Sequence, residues 1–389
     1  MKLNVQSSKK DLVGLMIFDF LQAWHHNNQW EQGPDLSWII TDPGDFRQDY
    51  LNILYIDLLS DPFPREQLDN ADRYDLIFLD NHADPLVTSS EHAVEILQQF
   101  DHAYIVIDSY LHSDHAYSQR YIPVFQDHYA VKEYWLDSRY PTAYRPQHYK
   151  NIVRDKNMIY INGANRSWRH HSVDMLKHAI PDLPVISNYN RLVRTVDSFF
   201  ESSKDTAFRK WVNDRYQEQY QPRGQGRDHT NYYQEGIPLG SDGKFGEILP
   251  GYLLMPEYYE YRCVIFPEST WQNNELALTE KAWKCFFTGN IPMPLGGANI
   301  YYLYNQLGLA TAWDLLPDSL KQFDQIEDHQ QRYHGFVDAV KWLYDNPEVF
   351  QSDHARQILE SNYRQCFSTV THAKSSEILY NILLTADKS

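Results

Sequence analysis

The sequence predicts an α/β protein of two doubly wound domains, each a parallel sheet covered by helices, followed by a helical tail. Three observations predict it. Continuous apolar runs recur along the chain, and a strand buried on both faces needs such a run rather than an alternation. Helical patterns separate these runs, which favours parallel pairing. The pattern of strand, loop and helix begins afresh at Met158, after a polar connector at 150–156. A chain of 389 residues has room for two domains of ordinary size. They are expected at 1–150 and 151–330, with helices over 331–389 that brace the two.

In the first domain, Leu12–Phe18 (LVGLMIF) reads as a strand that ends at Asp19. Leu51–Leu58 (LNILYIDL) is another, and Asp75–Leu79 (DLIFL) a third, running into Asp80-Asn81-His82-Ala83-Asp84. A helix is expected from Ser90 to Phe100, with Ala93, Ile96 and Leu97 on one face. Tyr104–Ile107 (YIVI) then ends at Asp108. Ligands of such sheets sit beyond the carboxyl ends of the strands, so Asp19, Asp80 and Asp108 gather at the functional edge, with His82 and Asp84 beside them.

In the second domain, Met158–Ile161 is a strand, 162–169 a loop, His171–Ala179 a helix and Leu183–Ser187 the next strand. The stretch 221–242, rich in glycine and polar residues, reads as a surface loop. A short helix opens after Pro256, and Arg262–Phe266 is a strand. Thr279 is a good N-cap for the following helix and Gly289 a good stop. Ile291–Leu295 is a short buried strand, closed by Gly296-Gly297. A helix around Ile300–Leu307, a turn at Gly308 and a tail with Val337, Val340, Leu343 and Tyr344 at helical spacing complete the chain.

Composition narrows the function. An apolar fraction of 42% and an aromatic fraction of 15% belong to a packed protein. A net charge of −17 disfavours wrapping of long nucleic acids, although it leaves room for a local basic cleft. Three cysteines, Cys263, Cys285 and Cys366, are no disulfide framework and point to a reduced compartment. The first residues carry no long apolar leader, and no run reaches the length of a membrane span. A cytoplasmic protein is expected, in the host cytoplasm if the chain is phage-encoded.

The chemistry concentrates in 266–296, FPESTWQNNELALTEKAWKCFFTGNIPMPLG. Glu268, Glu280 and Lys281 flank one strand–helix–strand unit there. A helix start binds anions through its free amides, a lysine just inside it adds charge, and carboxylates accept hydrogen bonds from vicinal hydroxyls. These are the parts that hold a phosphorylated ligand bearing a sugar. The segment resembles the nucleotide-sugar motif of α1,3-fucosyltransferases, in which Phe-Glu-Asn-Ser precedes Thr-Glu-Lys, a Trp and then Pro-x-x-Leu-Gly. Phe266, Glu268, Ser269, Thr279, Glu280, Lys281, Trp283, Pro292, Leu295 and Gly296 carry the match. Pro267-Glu268 stands where that family reads Glu-Asn. Met255–Thr270 and the Asn165–His171 loop are also similar to phage and bacterial glycosyltransferases. The resemblance spans 158–313 and leaves out the first domain.

It implies a GT-B glycosyltransferase, with two Rossmann-like domains facing a cleft. The donor, a UDP- or GDP-sugar, would be held by Arg166, Arg169, Glu268, Thr279, Glu280 and Lys281. Glu280 would take the ribose hydroxyls, and Lys281, Arg166 and Arg169 the diphosphate. With no Asp-x-Asp motif, transfer without a metal or other cofactor is expected. Trp283 reads as core. An inverting transfer needs a base, and Asp80 is the first choice. His112-x-Asp114-His115 has metal-like composition but reads as a solvated loop, and His25-His26 and His170-His171 are treated in the same way. The acceptor is a glycan hydroxyl or, given the phage-like motifs and Arg215, Arg223 and Arg227, a hydroxymethylated pyrimidine in phage DNA. The rival from another class is a nucleotide or sugar-phosphate binding protein without catalysis.

Overall fold

The computed structural model describes residues 1–7, 37–58, 65–81, 91–107, 109–123, 150, 152–162, 167–187, 257–268, 273–367 and 370–387. The chain divides into two compact units, Met1–Gln126 with Ser368–Ser389, and Asp127–Phe367. The expected α/β class holds, since each unit is built on a wholly parallel sheet.

The first unit contains β1 (Lys2–Gln6), β2 (Ser37–Thr41), β3 (Leu51–Asp57), β4 (Leu76–Asn81), β5 (Ala103–Ile107), the two-residue β6 (Tyr110–Leu111) and β7 (Tyr121–Pro123). All but β6 form one parallel sheet in the order β2-β1-β3-β4-β5-β7. Leu54, Ile56, Ile77, Leu79, Ile105 and Ile107 on one face meet Ala93, Ile96 and Leu97 of the Glu91–Gln99 helix. That is the apolar stripe the sequence places on this helix. The Val370–Ala386 helix also belongs to this unit and packs beside β7.

Strand β1 is a difference from the sequence expectation, because KLNVQ lacks the continuous apolar run of a buried parallel strand. The reason for its polarity is topological. The link from β2 to β3 must cross β1, which lies between them. Asn4 and Gln6 share the face it crosses, and both donate to the Asp45 carbonyl of the link, at 2.6 and 3.0 Å. The Gly44 amide donates back to Gln6 Oε1 at 2.7 Å. Side-chain amides thus satisfy loop backbone where a covering helix would have needed apolar contacts. Leu3 and Val5 supply the apolar face on the other side, both fully buried. The expected strand at Leu12–Phe18 lies outside the described residues.

The second unit carries β8 (Lys156–Asn162), β9 (Val185–Ser187), β10 (Tyr261–Pro267), the short β11 (Glu275–Leu276) and β12 (Ile291–Leu295). Four of them form a parallel sheet in the order β12-β10-β8-β9. Pro292 and Pro294 are tolerated because β12 is an edge strand. Prolines at alternate positions turn their missing N–H groups to the same, unpaired side. The helix after β8 spans Ser167–Ala179 and starts earlier than its expected bound of His171. Arg169 therefore sits in the helix, not in the loop. Burial of Val173, Leu176 and Ile180 at helical spacing holds this helix, whatever the polarity of its first turn.

Helices at Ile300–Gln306, His329–Asp345 and Asp353–Phe367 follow. Asp328 caps the second of these, accepting from the Gln331 amide at 2.8 Å. Its interior glycine, Gly335, marks a close approach. A Cβ there would lie 2.5 Å from Phe323 Cβ and 3.4 Å from its Cγ. In an open helix Gly→Ala gains about 0.5–1 kcal/mol. Here the obstacle is the root of a packed ring, and overpacking of that kind costs about 1–3 kcal/mol. Gly335→Ala is expected to lower the urea midpoint, and an increase would show that Phe323 yields freely. Among the described residues no helix is long and apolar enough to cross a membrane.

Candidate functional site

The strand order of the second unit marks a candidate ligand edge. The chain goes from β8 to β9 on one side, then returns to β10 and β12 on the other. The order reverses between β8 and β10, and in open α/β sheets ligands bind beyond the carboxyl ends of the strands at such a reversal. Asn162, fully buried, ends β8, and Glu268 directly follows β10. The crossover from β10 to β12 contains Thr279 and the Glu280–Thr288 helix, so the TEK segment reaches the same edge.

Four side chains of this segment and its neighbour form one buried chain of hydrogen bonds. Glu268 is 0% exposed, with its amide on the Leu295 carbonyl at 2.9 Å. Its carboxylate accepts from Thr279 Oγ1 at 2.9 Å and from Tyr304 Oη at 2.6 Å. Lys281 Nζ in turn donates to Thr279 Oγ1 at 3.2 Å. Burial, then the Glu268 charge, push the Tyr304 hydroxyl well above its ordinary pKa, so it stays a donor.

This changes the expected role of Thr279. Its backbone has the extended N-cap conformation, φ −82° and ψ 172°, but its side chain caps none of the helix's first amides. The hydroxyl is drawn to Glu268 instead, because a buried carboxylate has few other donors and is costly to leave unmatched. The other end closes as expected. Gly289 is left-handed at φ 72°, and the amides of Asn290 and Gly289 donate to the carbonyls of Cys285 and Phe286 at 2.8 and 3.3 Å. This is a Schellman closure. Arg154, which the sequence left unmarked, adds its guanidinium there, donating to the carbonyls of Thr288 and of Tyr258. A cation at a helix C-terminus is favourable, and burial holds this one down to a pKa of about 10. The described side chains of the helix are all buried, Trp283 included, so Trp283 is core as expected.

Beyond β12, Asn273 and Asn274 hold the turn that follows Gly296-Gly297. The Ala298 amide donates to Asn273 Oδ1 at 2.9 Å, and the Asn274 amide to the Ala298 carbonyl at 2.9 Å. Arg332, 2% exposed, donates to the Gly296 carbonyl at 3.2 Å and to the Ile326 carbonyl at 2.6 Å, and it meets His329 Nδ1. Asp324 occupies the start of the Ile300–Gln306 helix, accepting from the amides of Tyr301 and Tyr302 at 3.2 and 3.1 Å.

Two groups of this shell give the unit a pH signature. Burial, and then the Arg332 charge, lower the His329 pKa from 6.5 to about 3. The folded chain refuses a proton that the unfolded chain takes up, so this stability is lost as pH falls below 6.5. Asp324 works in the opposite direction. Burial raises it from 3.8 to about 6, against the two amides and Arg332, so stability is gained as pH falls from 6 towards 3.8. The two effects offset each other in that lower window. Removing the acid exposes the histidine term. Asp324→Asn is expected to lose stability more steeply than the parent between pH 6 and 4 in urea titrations, and parallel curves would contradict it.

Of the other expected site residues, Arg166 lies outside the described residues. Arg169 is placed by its backbone in the Ser167–Ala179 helix, and Glu280 by its backbone as the first residue of the TEK helix. Asp80 lies on β4, 3% exposed, and accepts a hydrogen bond from the Tyr55 hydroxyl. Burial and the Asp80 charge raise the Tyr55 pKa well above the ordinary value, so the phenol keeps its proton. Asp57, in register with Asp80 on the neighbouring strand, also bears on Tyr55. Asp19, His82, Asp84, Asp108, Arg215, Arg223 and Arg227 lie outside the described residues, as do His25 and His26. Within the 112–115 loop, His112 Nδ1 is 3.4 Å from Asp114 Oδ2, and His115 Nδ1 accepts from the Tyr117 amide at 3.2 Å. Among the described residues no cluster of three or more metal-ligating side chains occurs.

The second unit is thus a doubly wound α/β body with a buried Glu–Thr–Lys–Tyr chain at the carboxyl edge of its sheet. No protein-family description matches the chain, and no curated protein does. Among solved structures it is similar to a crystal structure of an alpha1,3-fucosyltransferase, with 12% identity, 100% of this chain and 90% of that chain covered, and a TM-score of 0.42. It is also similar to a crystal structure of alpha1,3-fucosyltransferase with GDP-fucose, with 11% identity, 99% and 90% covered, and a TM-score of 0.34.

Proposed function

We propose that this chain is a glycosyltransferase of GT-B architecture that moves a sugar from a nucleotide sugar to an acceptor hydroxyl. One observation carries the reading. The TEK segment, which has the residue types of a diphosphate site, reaches the carboxyl edge of the second sheet, where that sheet's order reverses. Lys281 and the start of the Glu280–Thr288 helix would take the diphosphate, and Glu280 the ribose hydroxyls. Arg166 and Arg169 would add charge. When the sugar leaves, negative charge grows on the terminal phosphate, and fixed cations with helix-end amides lower that barrier. The first unit would supply the acceptor side, with Asp80 as candidate base and Tyr55 holding its carboxylate in place.

Thermal shifts with UDP-, GDP-, ADP- and CMP-sugars test the donor. A ligand at about 100 times its Kd stabilises the fold by about 2.7 kcal/mol. One base class is expected to raise Tm, and the same donor to release its nucleoside diphosphate on incubation with acceptor. Binding without release from any donor would leave a binding protein, and no binding at all would remove the proposal. Asp80→Asn is expected to keep donor binding while turnover drops by about 10²–10⁴.

A further inference from the structure

The sequence counts Glu268 among the residues that would hold the donor, but its side chain is 0% exposed, which leaves direct contact to its neighbours. Its partners show what it does instead. Both hydrogen bonds run towards the Glu268 carboxyl oxygens, so Thr279 and Tyr304 point their hydroxyl hydrogens at it. The Thr279 hydrogen is then committed, and its oxygen lone pairs are left for Lys281 Nζ. An ammonium has three donors, and this contact directs one of them at Thr279 Oγ1, which ties the nitrogen to the residue just before the helix. The chain Tyr304–Glu268–Thr279–Lys281 therefore sets where the lysine charge sits at the helix start.

Tyr304 is the outermost link and comes from another helix, Ile300–Gln306. It is fully buried, and its ring meets Phe286 edge-on at 6.2 Å, so it is anchored independently of its hydroxyl. Burial alone would call for phenylalanine at this position. The hydroxyl earns its place only by holding Glu268.

We infer that Tyr304 is a positioning residue of the donor site, acting through Glu268 and Thr279 to fix the Lys281 ammonium against the diphosphate. The inference rests on the donor-site reading. It concerns neither the acceptor nor the base of the nucleotide, so its effect must fall on phosphate recognition.

The test compares wild type, Tyr304→Phe, Thr279→Val, Thr279→Ser, their Tyr304→Phe combinations and Lys281→Ala. Calorimetry uses GDP and UDP, with guanosine and uridine as controls lacking phosphate. Tyr304→Phe keeps the ring and is expected to weaken diphosphate binding about tenfold, which is about 1.4 kcal/mol, with nucleoside binding unchanged. Thr279→Val is expected to weaken it at least as much, and Thr279→Ser to restore it. Because both act through one path, the double variant Tyr304→Phe/Thr279→Val should bind no worse than Thr279→Val alone. A merely structural tyrosine would lower Tm without selecting diphosphate over nucleoside. The inference fails if Tyr304→Phe binds GDP or UDP like wild type while Lys281→Ala does not, or if the two losses add. If wild type binds neither nucleotide, the donor-site reading fails and takes the inference with it.

Discussion

Replacing Lys281 by alanine is expected to weaken nucleoside diphosphate binding by about 10–100-fold. A hydrogen bond to a charged group contributes about 1.5–3 kcal/mol, and each 1.4 kcal/mol is a factor of ten. Lys281 is 8% exposed, so salt screens its interaction less than it would that of a surface lysine. The competing effect is on stability, because the alanine removes the donor to Thr279 and leaves space among buried neighbours. Lys281→Met separates the two. It keeps the aliphatic stem that packs and loses the ammonium, with its charge and its donor to Thr279. Calorimetry with GDP and UDP, read beside urea unfolding of both variants, is the measurement. If Lys281→Met binds the diphosphate as wild type does, the phosphate lies elsewhere and the helix-start assignment is wrong.

The second large effect is on folding. Glu268→Ala is expected to destabilise the protein by about 3–5 kcal/mol, the range for breaking a buried charged network by removing one partner. The substitution leaves the hydroxyls of Thr279 and Tyr304 buried without their acceptor and opens a void where the carboxylate stood. The opposing gain is real, since a buried carboxylate carries a desolvation cost that alanine removes. It decides the outcome for Glu268→Gln, where one amide oxygen still accepts and the shape is kept. That variant is expected to lose about 1–2 kcal/mol. Urea midpoints checked by two spectroscopic probes would give the order Ala below Gln below parent. If Glu268→Ala matches the parent, the four-residue chain is not holding the helix start.

Much of this fold can be read in the residues. LNILYIDL, YIVI and the run into Phe266 are apolar without alternation, and each is a buried parallel strand. The TEK helix shows both its ends in its letters, because only glycine takes φ 72° cheaply and threonine favours extended backbone before a helix. Strand β1 was not legible, since nothing local says that a loop from β2 must pass over Asn4 and Gln6. The early start of the Ser167–Ala179 helix was equally hidden, as its polar first turn is held by burial farther along.

The candidate site divides in the same way. Glu268, Thr279 and Lys281 stood out by type and spacing, within a short stretch of chain. Their wiring did not. Thr279 was read as a cap because a hydroxyl before a helix most often serves the backbone, and only the buried Glu268 outbids the amides for it. Tyr304 and Arg154 had no local mark, because the partners that hold them lie 36 and 134 residues away. The sequence by itself determined the class of fold, the bounds of the long apolar strands and of the TEK helix, and which segment has the residue types of a phosphate site, since periodicity, caps and residue type act within a few positions. Only the tertiary structure decided which strands adjoin where the sheet order reverses, which side chain each buried oxygen satisfies, and so where the Lys281 charge is held, because burial and hydrogen bonding join residues by distance in space and not along the chain.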